Sequence, residues 1–290
     1  MKNSKKRKIK WGFWIFFTPV FLWLFLLLIL PHLELLRMSF VGSAYLGDTG
    51  FTAQNYGAFF TEPIYWLTFV RTAIYSIIVT FIVLVIALPV AFYVAKIASF
   101  KTKGFLSTLL LLPFWVSELI RVYGWMILLR ESGVINQIMV GAGFWKAPIE
   151  MLYNDATMIM GLVYTSMLFM VIPILGVMES LDDALIEAAY DLGAKKVTIW
   201  SKIIIPHCMP GIMSGSIIVF MIVLGSYLTP NLMGGKNSLW FTQQIYNQFI
   251  LYFNWNQGAA FGFLLLLMSS VIIWVALKLS RQNFKEVVVK

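Results

Sequence analysis

Few residues in this 290-residue chain could carry chemistry. Ser214 lies in Gly211-Ile-Met-Ser214-Gly215, seven residues after His207, which raises the question of a serine nucleophile with a histidine base. Such a pair must meet at about 3 Å, whereas seven residues of straight helix rise about 10.5 Å, so hydrolytic chemistry is excluded. Gly235-Lys236-Asn237 holds the Gly-Lys of a phosphate loop, but lacks the earlier Gly at the required spacing and the Ser or Thr after Lys. Cys208 is the single cysteine, and His32 and His207 are separated by most of the chain, so no disulfide and no metal site is spelled out. Two features remain. Glu118 and Arg121 are three residues apart inside an otherwise uncharged run, and a charged, alanine-containing stretch runs from Ser180 to Pro206. The first suits passage or binding of a charged solute, and the second suits contact with a partner protein.

The elements that must position these residues are membrane spans. The chain is 60% hydrophobic and 12% charged, against roughly 45–50% and about 25% in soluble domains. A bilayer crossing needs about 20 mostly apolar residues, and charge-poor runs predict six: Gly12 to Leu30, Thr68 to Ala95, Phe105 to Leu129, Thr157 to Met178, His207 to Tyr227 and Gly258 to Leu277. The basic residues of Lys2 to Lys10 precede an apolar run longer than a secretory h-region, and no Ala-x-Ala site follows it, so the run reads as an uncleaved first span. With the N-terminus inside, the inner segments hold 16 of the 22 Lys and Arg, and short inner loops are the ones enriched in basic residues. Both termini are therefore expected in the cytoplasm. The net charge of +9 sits in short loops between apolar segments rather than on one soluble face, which excludes a nucleic-acid partner.

The expected organisation is a basic segment 1–11, a six-span domain 12–280 with an inner loop 180–206, and a tail 281–290. Residues Pro31 to Leu67 form an outer loop with room for a short surface helix. Ser238 to Gln257 carries no formal charge but is rich in Asn and Gln, with Phe241, Ile245, Phe249 and Tyr252 near helical spacing. That stretch reads either as an amphipathic scaffold helix or as a lip of a solute route.

Within the inner loop, Asp182 or Asp183 can cap a helix, residues Ala184 to Leu192 favour one, and Gly193 can stop it. Leu181, Leu185, Ala188 and Leu192 fall on one face, with Glu187 and Asp191 a turn apart on another. Such a helix fits a partner's groove, and Ala188 and Ala189 allow close approach.

Glu187-Ala188-Ala189, three residues, Gly193, nine residues, then Ile203-x-Ile205-Pro206 resembles the signature of the permeases of binding-protein-dependent ABC importers. Only Ile205 departs, where the pattern has Leu, a swap of similar volume. The stretches Leu88 to Lys96, Pro113 to Trp125 and Leu232 to Trp240 are similar to the polyamine permease group, of the spermidine/putrescine type. The resemblance implies an all-α, type I importer permease in a bacterial inner membrane, with residues 180–206 forming a coupling-helix loop. Glu187, Ala188, Ala189, Asp191 and Gly193 would then dock on an ATPase, Glu187 meeting a basic or polar group. It implies two ATPase subunits that use ATP and Mg, a second and different permease, an extracytoplasmic binding protein, and no cofactor or catalysis in this chain. The solute would be a polyamine or related amine, although the same group includes importers of opines, other organic amines and ferric iron.

On a straight third span, Glu118 would lie about 21 Å from Gly104 along the axis. Charges at such depth cost about 2.5–3.5 kcal/mol each, so they either neutralise each other against protein or line the solute route, with Tyr123 and Trp125 as further lining candidates. Pro206, Pro210 and Pro230 around the fifth span could serve as hinges, and Gly211 with Gly215 makes a small-residue patch; packing alone explains both. An ion-coupled secondary transporter would need relay groups near the midplane, and only Glu118 is on offer.

Overall fold

A computed structural model describes residues 11–42 and 50–279; most of the expected basic N-terminal segment and the tail 281–290 lie outside the described residues. The described chain is helical, with one isolated antiparallel bridge between Val41 and Phe51. Among the described residues, five helices are long and apolar enough to span a bilayer, and a bent helix pair brings the number to six when taken as one span. The contacts divide the chain into two compact units, one formed by the chain up to Pro63 with Ile245–Leu264, the other by Ile64–Gln244 with the chain from Leu265 onward.

The first unit begins with α1 (Trp11–Leu24), which continues through a π-helical turn (Phe25–Ile29) into α2 (Leu30–Ser39). Its most apolar stretch has 0% of its residues buried. The expected outer loop is structured: α3 (Gln54–Thr61) follows, and the buried Asn55 amide donates to the Ser39 and Val41 carbonyls at 2.9 Å each. Asn256 donates to the carbonyls of Val41 and Gly42 at 2.7 and 2.8 Å, which satisfies backbone acceptors that no helix or strand uses.

In the second unit, α4 (Pro63–Phe92) buries Thr68, Thr72, Ser76, Val79, Val83, Ala87 and Ala91. This is a single seam at three- and four-residue spacing, polar at its start and apolar at its end. Thr68, Thr72 and Ser76 each bond the carbonyl four residues earlier at 2.6–2.7 Å, so their hydroxyls are buried without loss. A π-helical turn (Tyr93–Ile97) ends α4 and leads to α5 (Phe100–Leu111).

The third expected span is not straight. A 3-10 turn (Leu112–Trp115) follows α5, α6 (Glu118–Leu129) starts after Ser117, and the two limbs meet at 95°. Pro113 supplies no amide donor to continue α5, and Glu118 becomes the first residue of a new helix. The axial depth worked out for a straight helix therefore does not apply.

After α7 (Val134–Gly141), the centre of the unit is α8 (Asp155–Glu179) against α11 (Ile205–Leu224). The Gly211 and Gly215 patch makes this contact: a Cβ added at Gly211 would lie 2.6 Å from the Pro173 carbonyl oxygen, and one at Gly215 would lie 2.9 Å from Met170 Sδ. Buried Met170, Ile174, Met178, Cys208 and Ile212 fill the seam. The helix remains unbroken past Pro206 and Pro210, since Pro206 sits in the first turn of α11 just after a π-helical turn (Trp200–Ile204). Close packing accounts for this region. Between α8 and α11 lie α9 (Asp183–Asp191) and the short α10 (Lys196–Ile199); α12 (Leu228–Met233), α13 (Phe241–Tyr246) with its π-helical extension Asn247–Leu251, and α14 (Trp255–Leu279) complete the chain.

Candidate functional site

The helix of the loop 180–206 forms as its residues dictate. Asp182 caps α9, accepting a 3.0 Å hydrogen bond from the Ala184 amide, and Asp183 occupies the first turn, where a carboxylate offsets the helix dipole. Gly193 ends the helix at φ +75°, a conformation that costs a side-chain-bearing residue about 1–2 kcal/mol. The Gly193 and Ala194 amides then satisfy the Tyr190 and Ala189 carbonyls at 2.9 Å each.

Ile186 and Ala189 turn inward and pack on the core. Of the apolar face read from the sequence, Leu181 is buried, but Leu185, Ala188 and Leu192 are exposed, Leu192 at 88%. Glu187 and Asp191 are exposed as well. A two-turn helix that keeps its best apolar side chains outward next to two carboxylates presents a mixed surface that is exposed among the described residues.

The second site is a cavity of about 450 Å³ whose walls include Phe114, Glu118, Arg121, Thr165, Phe169 and Tyr227. The break between α5 and α6 brings Glu118 there, and its Oε1 accepts from the Thr229 hydroxyl at 3.2 Å. Arg121 lies one turn on, its Nε buried without a hydrogen-bond partner. Among the described residues, the ion pairs within 4 Å do not include Glu118 with Arg121. The two charges share a cavity rather than cancel each other. Phe114 meets Phe169 edge to face at 4.8 Å, so aromatic rings lie near the carboxylate. Tyr123 and Trp125 are not part of this wall: Tyr123 is exposed, and Trp125 packs edge-on against Tyr164 at 5.5 Å.

A third cluster escaped the sequence reading. Arg71 of α4 pairs with Asp155 of α8 at 2.5 Å, and Asp155 also accepts from Tyr75 at 2.9 Å and from Ser238. Arg71 lies over the Tyr75 ring, 5.1 Å from its centroid, and the Phe241 amide donates to Thr72 at 2.9 Å. The start of α8 is thereby tied to α4 and to the segment before α13. The only signal in the sequence was Arg71 just inside one apolar run and Asp155 just before another. In the segment 238–257, Gln244 and Gln248 are buried and helical, and Gly235 lies against the Tyr153 carbonyl, where an added Cβ would approach to 2.1 Å. A turn packed that tightly is a structural joint.

No protein-family model matches the chain. The fold matches that of a solved bacterial ABC transporter involved in import of the acidic polysaccharide alginate, with a TM-score of 0.75, 18% identity, and coverage of 95% of this chain and 96% of that one. The alginate transporter bound to a periplasmic protein carrying an alginate pentasaccharide matches with a TM-score of 0.72 and 18% identity over 93% and 94%. A bundle of five to six candidate spans with this match has the fold of a chain of such a transporter. More particularly, the chain belongs to the family of binding-protein-dependent ABC transporter permeases. It is 34% identical over 267 residues to the spermidine/putrescine transport system permease protein PotB of Escherichia coli K12, covering 91% of this chain and 96% of that protein. The PotB of Haemophilus influenzae is 34% identical over 259 residues, 88% and 90% of the two chains, and the inner membrane ABC transporter permease protein YdcU of Escherichia coli is 30% identical over 194 residues, 63% and 62%. The chain is thus a multi-pass inner-membrane permease subunit that is not an enzyme and binds no cofactor itself; ATP hydrolysis belongs to a separate subunit.

Proposed function

We propose that this permease forms half of the path for a polyamine, spermidine or putrescine, or a closely related amine. The carrying observation is the Glu118 cavity, in which a carboxylate faces a polar and aromatic wall. A carboxylate and aromatic faces are the groups that receive an ammonium ion, and the similarity to PotB points to the same class of solute. Arg121 opposes a cation, and a flexible polyamine meets both charges by directing an ammonium to Glu118 and its methylene stem past Arg121.

In this reading, residues 12–280 are one six-span permease region with both termini and the loop 180–206 in the cytoplasm. Two ATPase subunits, which use ATP and Mg, close beneath α9; Glu187 meets a basic or polar group there, and Ala188, Ala189 and Asp191 lie in the same contact. A second, different permease completes the path, and a solute-loaded binding protein docks outside. Tyr123 and Trp125 lie on α6 outside the cavity wall.

The test is uptake of radiolabelled spermidine by the complex purified with its ATPase, comparing the native chain with Glu118→Gln. A unit charge about 4 Å from an ammonium contributes about 4 kcal/mol at an effective dielectric of ~20, and a third of that is about tenfold. Uptake should fall by about tenfold or more with assembly unchanged. Unaltered uptake refutes the role of Glu118. Mass spectrometry of what co-purifies tests the assembly, and an isolated chain that moves solute under an ion gradient without ATP refutes the whole reading.

A further inference from the structure

Lys96 lies in the π-helical turn that ends α4, with its side chain only 8% exposed. An ammonium is tolerated at such burial when oxygens surround it. Here Nζ lies 2.8 Å from Asp183 Oδ1, in the first turn of α9, and also donates to the Leu181 carbonyl. A second lysine on the next helix, Lys103 of α5, pairs with Glu179 Oε1 at 3.1 Å, at the last residue of α8. The joint between α8 and α9 is thus gripped at both ends by side chains from the α4–α5 connection.

The end of α4 is also tied to the segment leading into α11. Phe92, the last residue of α4 before its π-helical turn, packs against Trp200, the first residue of the π-helical turn leading into α11, with ring centroids 4.9 Å apart. Such turns carry an extra residue and recur where a helix must adjust. One ends α4 and the other leads into α11. From α5 the chain runs through the 3-10 turn into α6, which begins at Glu118 in the cavity wall.

We propose that Lys96, assisted by Lys103, is the positioning residue that delivers movement of α9 to α4 and α5, and by way of α5 to the Glu118 end of the cavity. The inference rests on the reading that α9 docks on an ATPase. The inward face of α9 is Ile186 and Ala189, and apolar contact is non-directional, so it resists separation better than sliding. The Lys96 contacts supply direction, because a buried charge with two oxygen partners cannot shift without leaving one unpaired. Lys103 and Glu179 are 34% and 41% exposed, so their tie is the weaker of the two.

The test uses the complex assembled with its ATPase, in a Cys208→Ser background, with spin labels at Lys101 and Lys195. In the native chain the label separation should hold when ATP and vanadate trap the closed ATPase. In Lys96→Gln and Asp183→Asn the separation should shift or broaden on trapping, and spermidine moved per ATP should fall roughly 2- to 30-fold, the span for residues that carry coupling between sites. Asp183 is 68% exposed, so Asp183→Asn keeps the test open if Lys96→Gln does not assemble. Lys96→Arg, which keeps the positive charge and donors for both Asp183 and the Leu181 carbonyl, should retain both readouts. Assembled Lys96→Gln and Asp183→Asn variants with native separation and native transport per ATP overturn this inference alone. A native chain that recruits no ATPase overturns the docking reading, and this inference with it.

Discussion

Replacing Gly211 by Ala adds one methyl at the closest approach of α8 and α11. The new Cβ would meet the Pro173 carbonyl oxygen at 2.6 Å and the Ile174 Cα at 3.1 Å. Both are backbone atoms, so no side-chain rotamer relieves the clash, and the helices must part or slide. Overpacking of this kind costs about 1–3 kcal/mol. The cost falls on a seam whose members Met170, Ile174, Cys208 and Ile212 are buried, so every side chain along it must readjust. Gly176, on the same α8, provides the control, because a Cβ there meets nothing within 4 Å and Ala improves helix propensity. Gly161 is intermediate: its nearest neighbours are Met233 Sδ at 2.6 Å and Thr229 Cγ2 at 2.8 Å, and the thioether can move aside. The expected order of destabilisation is Gly211→Ala, then Gly161→Ala, with Gly176→Ala neutral or stabilising. Denaturation of the detergent-solubilised protein, followed by tryptophan fluorescence, measures it. Gly211→Ala as stable as Gly176→Ala would refute the packing argument.

Two further outcomes concern the loop and the clamp. Gly193→Ala should cost about 1 kcal/mol because of its positive φ, and Gly193→Asn less, read as faster protease cleavage between α9 and α10; Glu187→Lys should leave that cleavage unchanged while ATPase co-purification drops. Asp155→Asn removes a partner from Arg71 and should destabilise the protein by about 1–2 kcal/mol, below the value for a buried pair because Asp155 is 39% exposed; Arg71→Gln in the same chain should add little, as a double-mutant cycle will measure.

The long apolar runs were legible because the bilayer demands uninterrupted stretches of one length, and α4, α8, α11 and α14 follow them closely. The inner-loop helix was equally legible, since Asp182, the alanines and Gly193 act locally. What escaped was non-local. Pro113 alone does not announce a 95° turn, because Pro89, Pro173 and Pro210 sit inside helices that continue. Arg71 and Asp155 are separated by 84 positions, and no local pattern says which charges at span ends will meet. Lys96 read as one more inner basic residue, although its burial makes it the better anchored of the two lysines at the α9 joint. Helical spacing set Leu185, Ala188 and Leu192 of α9 on one stripe, which the fold leaves exposed, while Ile186 and Ala189 turn inward; periodicity defines a stripe, and only the fold tells which way it points.

The exposure of α1 has a consequence for mutational scanning. Phe16 through Leu30 are exposed within the described residues, so exchange among Leu, Ile and Phe along it changes no buried position of α1. Insertion asks only for hydrophobicity. A position there that tolerates one large apolar residue and rejects another is therefore reporting a shape beyond the described residues of its own unit, and a saturation scan of α1 becomes an imprint of whatever lies against it.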